Sequence, residues 1–209
     1  KKRKQTNLES YIRKFSKMFN ACQKVSVLPT EGEVDPTSYT TSPLHMGASV
    51  IGLKYKDGVL IAADRQVCYG SMQRFKSLQR IFPITKNVVM GSGGEYSDLQ
   101  AIVRKLKETE LEDWAHHDGN QYSARDYYNL LTRMSYKQRN KMDPLWCSSV
   151  VAGVSEDGDK FLGLTDYHGT HYEGNFVVTG LANYFVKAII ENNWNPDIEK
   201  ADAIAILEK

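Results

Sequence analysis

Two apolar runs, Val50-Ile51-Gly52-Leu53-Lys54-Tyr55 and Val59-Leu60-Ile61-Ala62-Ala63, flank the short polar step Lys56-Asp57-Gly58. So short a connection leaves the two runs only antiparallel pairing, because a parallel crossover needs a dozen residues or more. Asp-Gly tolerates the positive φ of a tight primed turn, so this stretch predicts a hairpin turning on Asp57-Gly58. A second hairpin is predicted from Val150–Val154, the turn Glu156-Asp157-Gly158-Asp159 and Phe161–Tyr167.

Between the hairpins lie a short strand, Val88-Val89-Met90, then Gly91-Ser92-Gly93-Gly94, and then two helical patterns. The glycine run reads as a tight strand-to-helix turn, and exposed amides in such a turn can serve as an oxyanion hole. The first helix has Ser97 and Gln100 as a capping-box pair, with Leu99, Ile102, Val103 and Leu106 on one face. The second repeats the device with Ser123 and Asp126, with Tyr127, Leu130, Leu131 and Met134 behind it, and stops at Pro144. A third helix has Leu181, Tyr184, Phe185, Ala188 and Ile189 on one face and breaks between Asn192 and Pro196; a last short helical pattern follows. Helices grouped between hairpins, not after each strand, predict an α+β fold with sheets packed together and helices outside. The same grouping argues against a dinucleotide-binding sheet or a barrel fold.

The 209 residues are 41% hydrophobic and 25% charged, which is ordinary for a globular chain and excludes wholesale disorder. The strictly apolar runs, such as Val59–Ala63 and Ala203–Leu207, are far short of the ~18 residues a membrane span needs, so no membrane partner is expected. Cys22, Cys68 and Cys147 are odd in number and far apart, which suits a reducing compartment better than a disulfide framework.

The charge is uneven. Residues 1–39 carry eight Lys/Arg against four acids, and the remainder is slightly acidic. Leu8, Tyr11, Ile12, Phe15, Met18 and Phe19 repeat on one helical face, and a Pro/Gly/Glu stretch from Pro29 to Pro36 reads as a linker. The chain therefore divides into a basic leader, 1–39, and a body, 40–209. A transit peptide, a membrane-surface helix and a nuclear signal at Lys1–Lys4 are alternatives to a solvated or partner-docked leader, which is the preferred reading. The near-neutral body gives no reason to expect nucleic acid as a partner.

Known site patterns are scarce. Tyr96 stands where a dinucleotide fingerprint needs a third small residue, and the Gly-Lys-Ser/Thr of a phosphate loop is absent. His168 and His171 are separated by Gly169 in a hairpin turn, and His116-His117 is a loop pair. Neither makes a metal site, so neither a metal nor another cofactor is expected. Asp64, ending the strand Val59–Ala63, is a candidate ion-pair partner or site member.

The body's motifs are specific. Gly47-Ala48-Ser49-Val50-Ile51-Gly52-Leu53-Lys54-Tyr55, Asp57 to Asp64, Tyr69-Gly70-Ser71, Gly91-Ser92-Gly93-Gly94 with Asp98, and Arg139 to Trp146 together resemble the proteasome beta subunits. The Asn-Lys-Met-Asp-Pro-Leu-Trp run and the Tyr-Gly-Ser step resemble one non-catalytic class of them. The resemblance spans roughly 40–190 and implies an N-terminal nucleophile hydrolase fold, a four-layer αββα sandwich. It also implies further C-terminal strands missing from this chain.

Active members of that family use an N-terminal Thr released behind a Gly, with a Lys and an Asp tuning it. Gly47 matches that Gly, but the nucleophile position is Ala48, which has no hydroxyl. The family Asp falls on Asp64, the family Lys on Arg80, the oxyanion glycine on Gly94, and a supporting Ser falls near Leu181. Arg80 is bidentate and never deprotonated, so it is no neutral replacement for Lys. The resemblance implies a non-catalytic subunit with Asp64 and Arg80 neutralising each other inside the sandwich end. It further implies a barrel of twenty-eight alpha and beta subunits, assembly chaperones, and residence in cytoplasm and nucleus. Residues 1–39 become a propeptide that a neighbouring subunit cuts at Tyr39-Thr40. The alternatives are an active hydrolase starting at Thr40 or Thr41, and a nucleic-acid-binding module acting through the basic leader.

Overall fold

A computed structural model describes residues 42–116 and 121–208. The leader, the bond Tyr39-Thr40 and His117 lie outside the described residues. Among the described residues there are eleven strands: β1 His45–Gly47, β2 Val50–Tyr55, β3 Gly58–Ala63, β4 Val67–Tyr69, β5 Met72–Phe75, β6 Ile81–Pro83, β7 Val88–Glu95, β8 Cys147–Val154, β9 Lys160–Thr165, β10 His171–Glu173 and β11 Phe176–Val178. Four helices accompany them: α1 Tyr96–His116, α2 Ala124–Asn140, α3 Ala182–Asn193 and α4 Lys200–Leu207. None of these helices is long and apolar enough to cross a membrane.

The strands form two antiparallel sheets. The larger has the order β10-β9-β8-β7-β1-β4-β5, with β6 also paired to β7, and the smaller has the order β11-β2-β3. Three apolar clusters separate four layers. Leu99, Ile102, Leu106, Tyr127 and Leu131 of α1 and α2 pack on Met90 and Val151, on the outer face of the large sheet. Val50 and Val177 meet Val150, Ala152, Leu162 and Leu164 between the sheets. Leu53 and Val178 pack against Ile190, Ala203 and Ile206 of α3 and α4. Alternation along each strand produces this layering, since successive residues face opposite sides of the sheet. In β2, Val50 points between the sheets and Leu53 points to the helices. The αββα expectation holds.

The first hairpin forms with a different turn. Tyr55 pairs with Gly58 and Lys54 with Val59, so the loop is Lys56-Asp57 and Gly58 already belongs to β3. Gly58 is not among the residues with positive φ, so no primed Asp-Gly turn exists. The second hairpin turns where expected, with Gly158 at φ 86° in the loop between Val154 and Lys160.

Residues Gly91–Gly94 are not a turn. They lie inside β7 and pair with β8, from Gly91↔Val150 to Gly94↔Cys147. The glycines serve close approach instead: a Cβ on Gly93 would stand 2.3 Å from the Ala48 carbonyl oxygen, and one on Gly94 2.0 Å from that of Trp146.

The helix starts also divide. The Ser123–Asp126 capping box is complete, with each side chain accepting from the other residue's backbone N–H. Ser97 does not cap α1: it lies inside the helix and donates its hydroxyl to Glu95 at 3.0 Å. Helix α2 ends at Asn140, with Met142 at φ 58°, before Pro144 is reached. The apolar face of α3 points outward: Leu181, Tyr184 and Phe185 are 74%, 79% and 71% exposed, while Ile190 is buried.

Candidate functional site

Strand β1 belongs to the large sheet and β2 to the small one, so the chain crosses between sheets at Ala48-Ser49. Everything around that crossover is fastened. Upstream, β1 is paired on both sides, His45↔Tyr69 with β4 and Gly47↔Gly94 with β7. The Glu95 carboxylate accepts the amides of Leu44 and of His45, the latter at 2.8 Å. Downstream, the Val50 amide donates to Thr179 Oγ1 at 2.7 Å, and Ser49 Oγ accepts the Ala182 amide at 3.0 Å. Ser49 thereby satisfies one of the open N–H groups at the start of α3, a task that its N-terminal residue Leu181 cannot perform.

Arg80 sits beneath the crossover with its side chain 1% exposed. Its Nη2 donates to the carbonyls of Ala48 and Ser49, the latter at 3.2 Å. Its Nε donates to Ser92 O at 3.3 Å, and its Nη1 to Asp64 O at 3.3 Å. Gly47 is glycine for the same reason, because a Cβ there would stand 2.6 Å from Arg80 Nε.

The predicted Asp64–Arg80 pair forms, with Nη1 and Oδ1 3.0 Å apart. It is not enclosed as expected: the Asp64 side chain is 47% exposed, and its Oδ1 also accepts the Gln66 amide at 2.8 Å. The pair is therefore lopsided. Backbone carbonyls, more than the carboxylate, supply the buried guanidinium with acceptors.

On the other side of Ala48 lies a cleft of about 410 Å³, lined by Met46, Ala48, Gly93, Gly94, Trp146 and Leu181 among others, with no charged side chain. Gly94 holds φ 106°, where a side chain would be strained. Asp98 accepts the Trp146 amide at 2.9 Å and so fixes the segment that forms one wall. The structure brings Ala48, Asp64, Arg80 and Gly94 to one place. None of these four carries a hydroxyl or thiol, and of the hydroxyls lining the cleft those of Ser49 and Thr179 accept backbone amides. Burial pushes the Cys147 thiol up to about 12, so it supplies no thiolate at neutral pH. Among the described residues, no three His, Cys, Asp or Glu side chains converge as metal ligands would.

Glu95 was not singled out by its sequence context, because an acid following a glycine run has no distinctive spacing. Burial opposes its ionisation, but the amides of His45 and Leu44 and the Ser97 hydroxyl outweigh that and hold its pKa below the usual value. A depressed carboxylate pKa stabilises the fold above the unfolded value, and that contribution is lost as pH falls through the folded value. Glu95→Gln should therefore destabilise the protein at pH 7, and the difference from the unsubstituted chain should shrink once the pH falls below the ordinary glutamate range. Urea denaturation across that range checks this; a difference independent of pH would mean the carboxylate's charge plays no part.

The two-sheet sandwich between helix layers, with the chain crossing from sheet to sheet at Ala48 beside a glycine-bearing cleft, agrees with the N-terminal nucleophile hydrolase fold that the family resemblance implies. The proteasome subunit family model matches residues 44–209. The chain is 39% identical over 170 residues to proteasome subunit beta type-4 of Arabidopsis thaliana, covering 81% of this chain and 69% of that protein. It is 36% identical over 155 residues to the beta type-4 subunit of Xenopus laevis, covering 74% and 64%. It is 33% identical over 198 residues to a probable beta type-7 subunit of Schizosaccharomyces pombe, covering 90% and 75%. The chain belongs to the proteasome subunit family, among its beta subunits, and so is part of a peptidase complex. It spans about two thirds of the length of these relatives.

Proposed function

We propose that this chain is a non-catalytic beta subunit that serves the core particle as structure. It holds its place in a ring while neighbouring subunits carry out the hydrolysis. The observation that carries the reading is Ala48 at the sheet-to-sheet crossover: its side chain is a methyl group, and the strand before it is paired on both sides. Threonine-type cleavage needs a hydroxyl that attacks the scissile carbonyl and an amine released beside it. A methyl group cannot attack, and removing a nucleophile abolishes the covalent route outright. The same absence prevents self-cleavage at Gly47-Ala48, so removal of a leader falls to a neighbour, at Tyr39-Thr40. The particle is a barrel of twenty-eight subunits assembled with chaperones, in cytoplasm and nucleus.

Gel filtration of cell extract with immunodetection should place the protein at about 700 kDa, the size of some twenty-eight chains held by obligate interfaces. Within that particle this chain should take no label from a peptide epoxyketone, and the purified chain should leave fluorogenic peptides intact. Mass spectrometry of the particle's chain should find Thr40 first. Labelling of this chain, or elution as a monomer alone, contradicts the reading.

A further inference from the structure

The large sheet ends on β5, whose outer edge pairs with no described strand. All four of its residues, Met72–Phe75, are exposed. An open edge is a row of unpaired backbone donors and acceptors, which proteins ordinarily guard with short length, charge and bulges. Some of that guarding is present: the strand has four residues and its pairing with β4 slips at Val67/Cys68. The side chains do not fit a merely guarded edge. Tyr69, Met72 and Phe75 are 44%, 53% and 38% exposed, and His45 stands against the rings of Tyr69 and Phe75 at 5.5 and 5.9 Å. They make an apolar, partly aromatic surface beside a free edge.

The flanks of β5 are basic, and of the carboxylates beside the patch Glu95 is buried and Asp64 is half-exposed and paired with Arg80. From Arg65 to Gly94 the sequence contains Arg65, Arg74, Lys76, Arg80 and Lys86 and not one acid. Arg80 is buried, while Arg65, Arg74 and Lys76 are exposed and form no ion pair with a described carboxylate. We propose that the β4–β5 edge is a docking site for an extended, acid-bearing segment of a different subunit, which adds to the large sheet as its next strand. Main-chain hydrogen bonds supply the attachment, alternate apolar side chains cover Met72 and Phe75, and carboxylates meet Arg74 and Lys76. A second copy of this chain is disfavoured, because edge-to-edge pairing would set Arg74 and Lys76 against themselves. Nucleic acid would use the charges but leave the edge and the apolar residues unused.

This inference rests on the reading of the chain as a ring subunit, and the experiment separates the two. The full chain carrying Arg74→Glu and Lys76→Glu is expressed in cells beside the unsubstituted chain, and the share of each in the large particle is compared. A photo-crosslinking benzoylphenylalanine at position 72 of the otherwise unsubstituted chain gives the second readout. Incorporation should fall about tenfold on charge reversal. The crosslink, mapped by mass spectrometry, should land on another subunit's segment in which acids and apolar residues alternate. Unchanged incorporation overturns the inference, as does a crosslink to a second copy, to nucleic acid or to nothing, even where the reversed chain assembles poorly. If the unsubstituted chain itself is absent from any large particle, the ring-subunit reading fails instead.

Discussion

Arg80→Met should lower the stability of the protein by about 3–5 kcal/mol, a large share of what one domain possesses. The guanidinium is buried and donates to the carbonyls of Ala48, Ser49, Asp64 and Ser92 besides pairing with the Asp64 carboxylate. Methionine fills much of the volume but offers no donor, and each buried acceptor left without a partner costs about 1–3 kcal/mol. Water entering from the Asp64 side recovers part of that loss, which sets the lower end of the range. The contrast with the acidic partner is the sharper test. Asp64→Asn should cost no more than about 1 kcal/mol, because its carboxylate is half-exposed and such pairs are screened by solvent. Urea denaturation of the two variants measures both values. Equal losses would mean that the ion pair, not the set of carbonyls, anchors Arg80.

Gly94→Ala should be at least as damaging, with a loss above about 3 kcal/mol or no folded protein at all. Two faults coincide there. The residue has φ 106°, and an added Cβ would lie 2.0 Å from the Trp146 carbonyl oxygen and 2.9 Å from the Cys147 Cα. Both obstacles are backbone, so neither moves aside without disturbing the pairing of β7 with β8. Gly70→Ala provides the control. It has φ 58° but nothing within 4 Å of the added atom. It should lose only the left-handed penalty of about 1–2 kcal/mol. Similar melting temperatures for the two variants would show that backbone conformation alone, without the clash, decides the effect at Gly94.

Much of the layering was legible because it depends on local repetition. The apolar alternation of Val50–Ala63 and Val150–Tyr167 marked the central hairpins. The Ser123–Asp126 box marked a helix start, and the run from Gly47 to Asp64 with the later glycines carried the family likeness. Strands β1, β4 and β5 escaped notice, since three or four residues with mixed polarity have no period to detect. Their place is set by pairing with partners that are distant in sequence. Ser97 misled for a related reason: its hydroxyl is drawn to Glu95, which is itself held by the amides of Leu44 and His45 from the far side of β1.

The residues of the site were legible as identities, but not as an arrangement. That Ala48 carries a methyl group and no hydroxyl is a fact of sequence alone, and that it stands where a nucleophile would is what the family likeness implies. The charges of Asp64 and Arg80 and the absence of a side chain at Gly94 are likewise facts of sequence. Tertiary structure decided what those identities do. The glycine run that reads as a turn is a buried strand, because the Ala48 carbonyl and the backbone at Trp146 and Cys147 leave no room for a Cβ. Arg80 is a fastener for four carbonyls more than half of an ion pair, and the apolar face of α3 is turned outward. A sequence displays which chemical groups are available and how they repeat along the chain. How near the backbone of one strand comes to another, and which side of a helix meets the core, depend on contacts between residues far apart in the chain, and those exist only in the folded state.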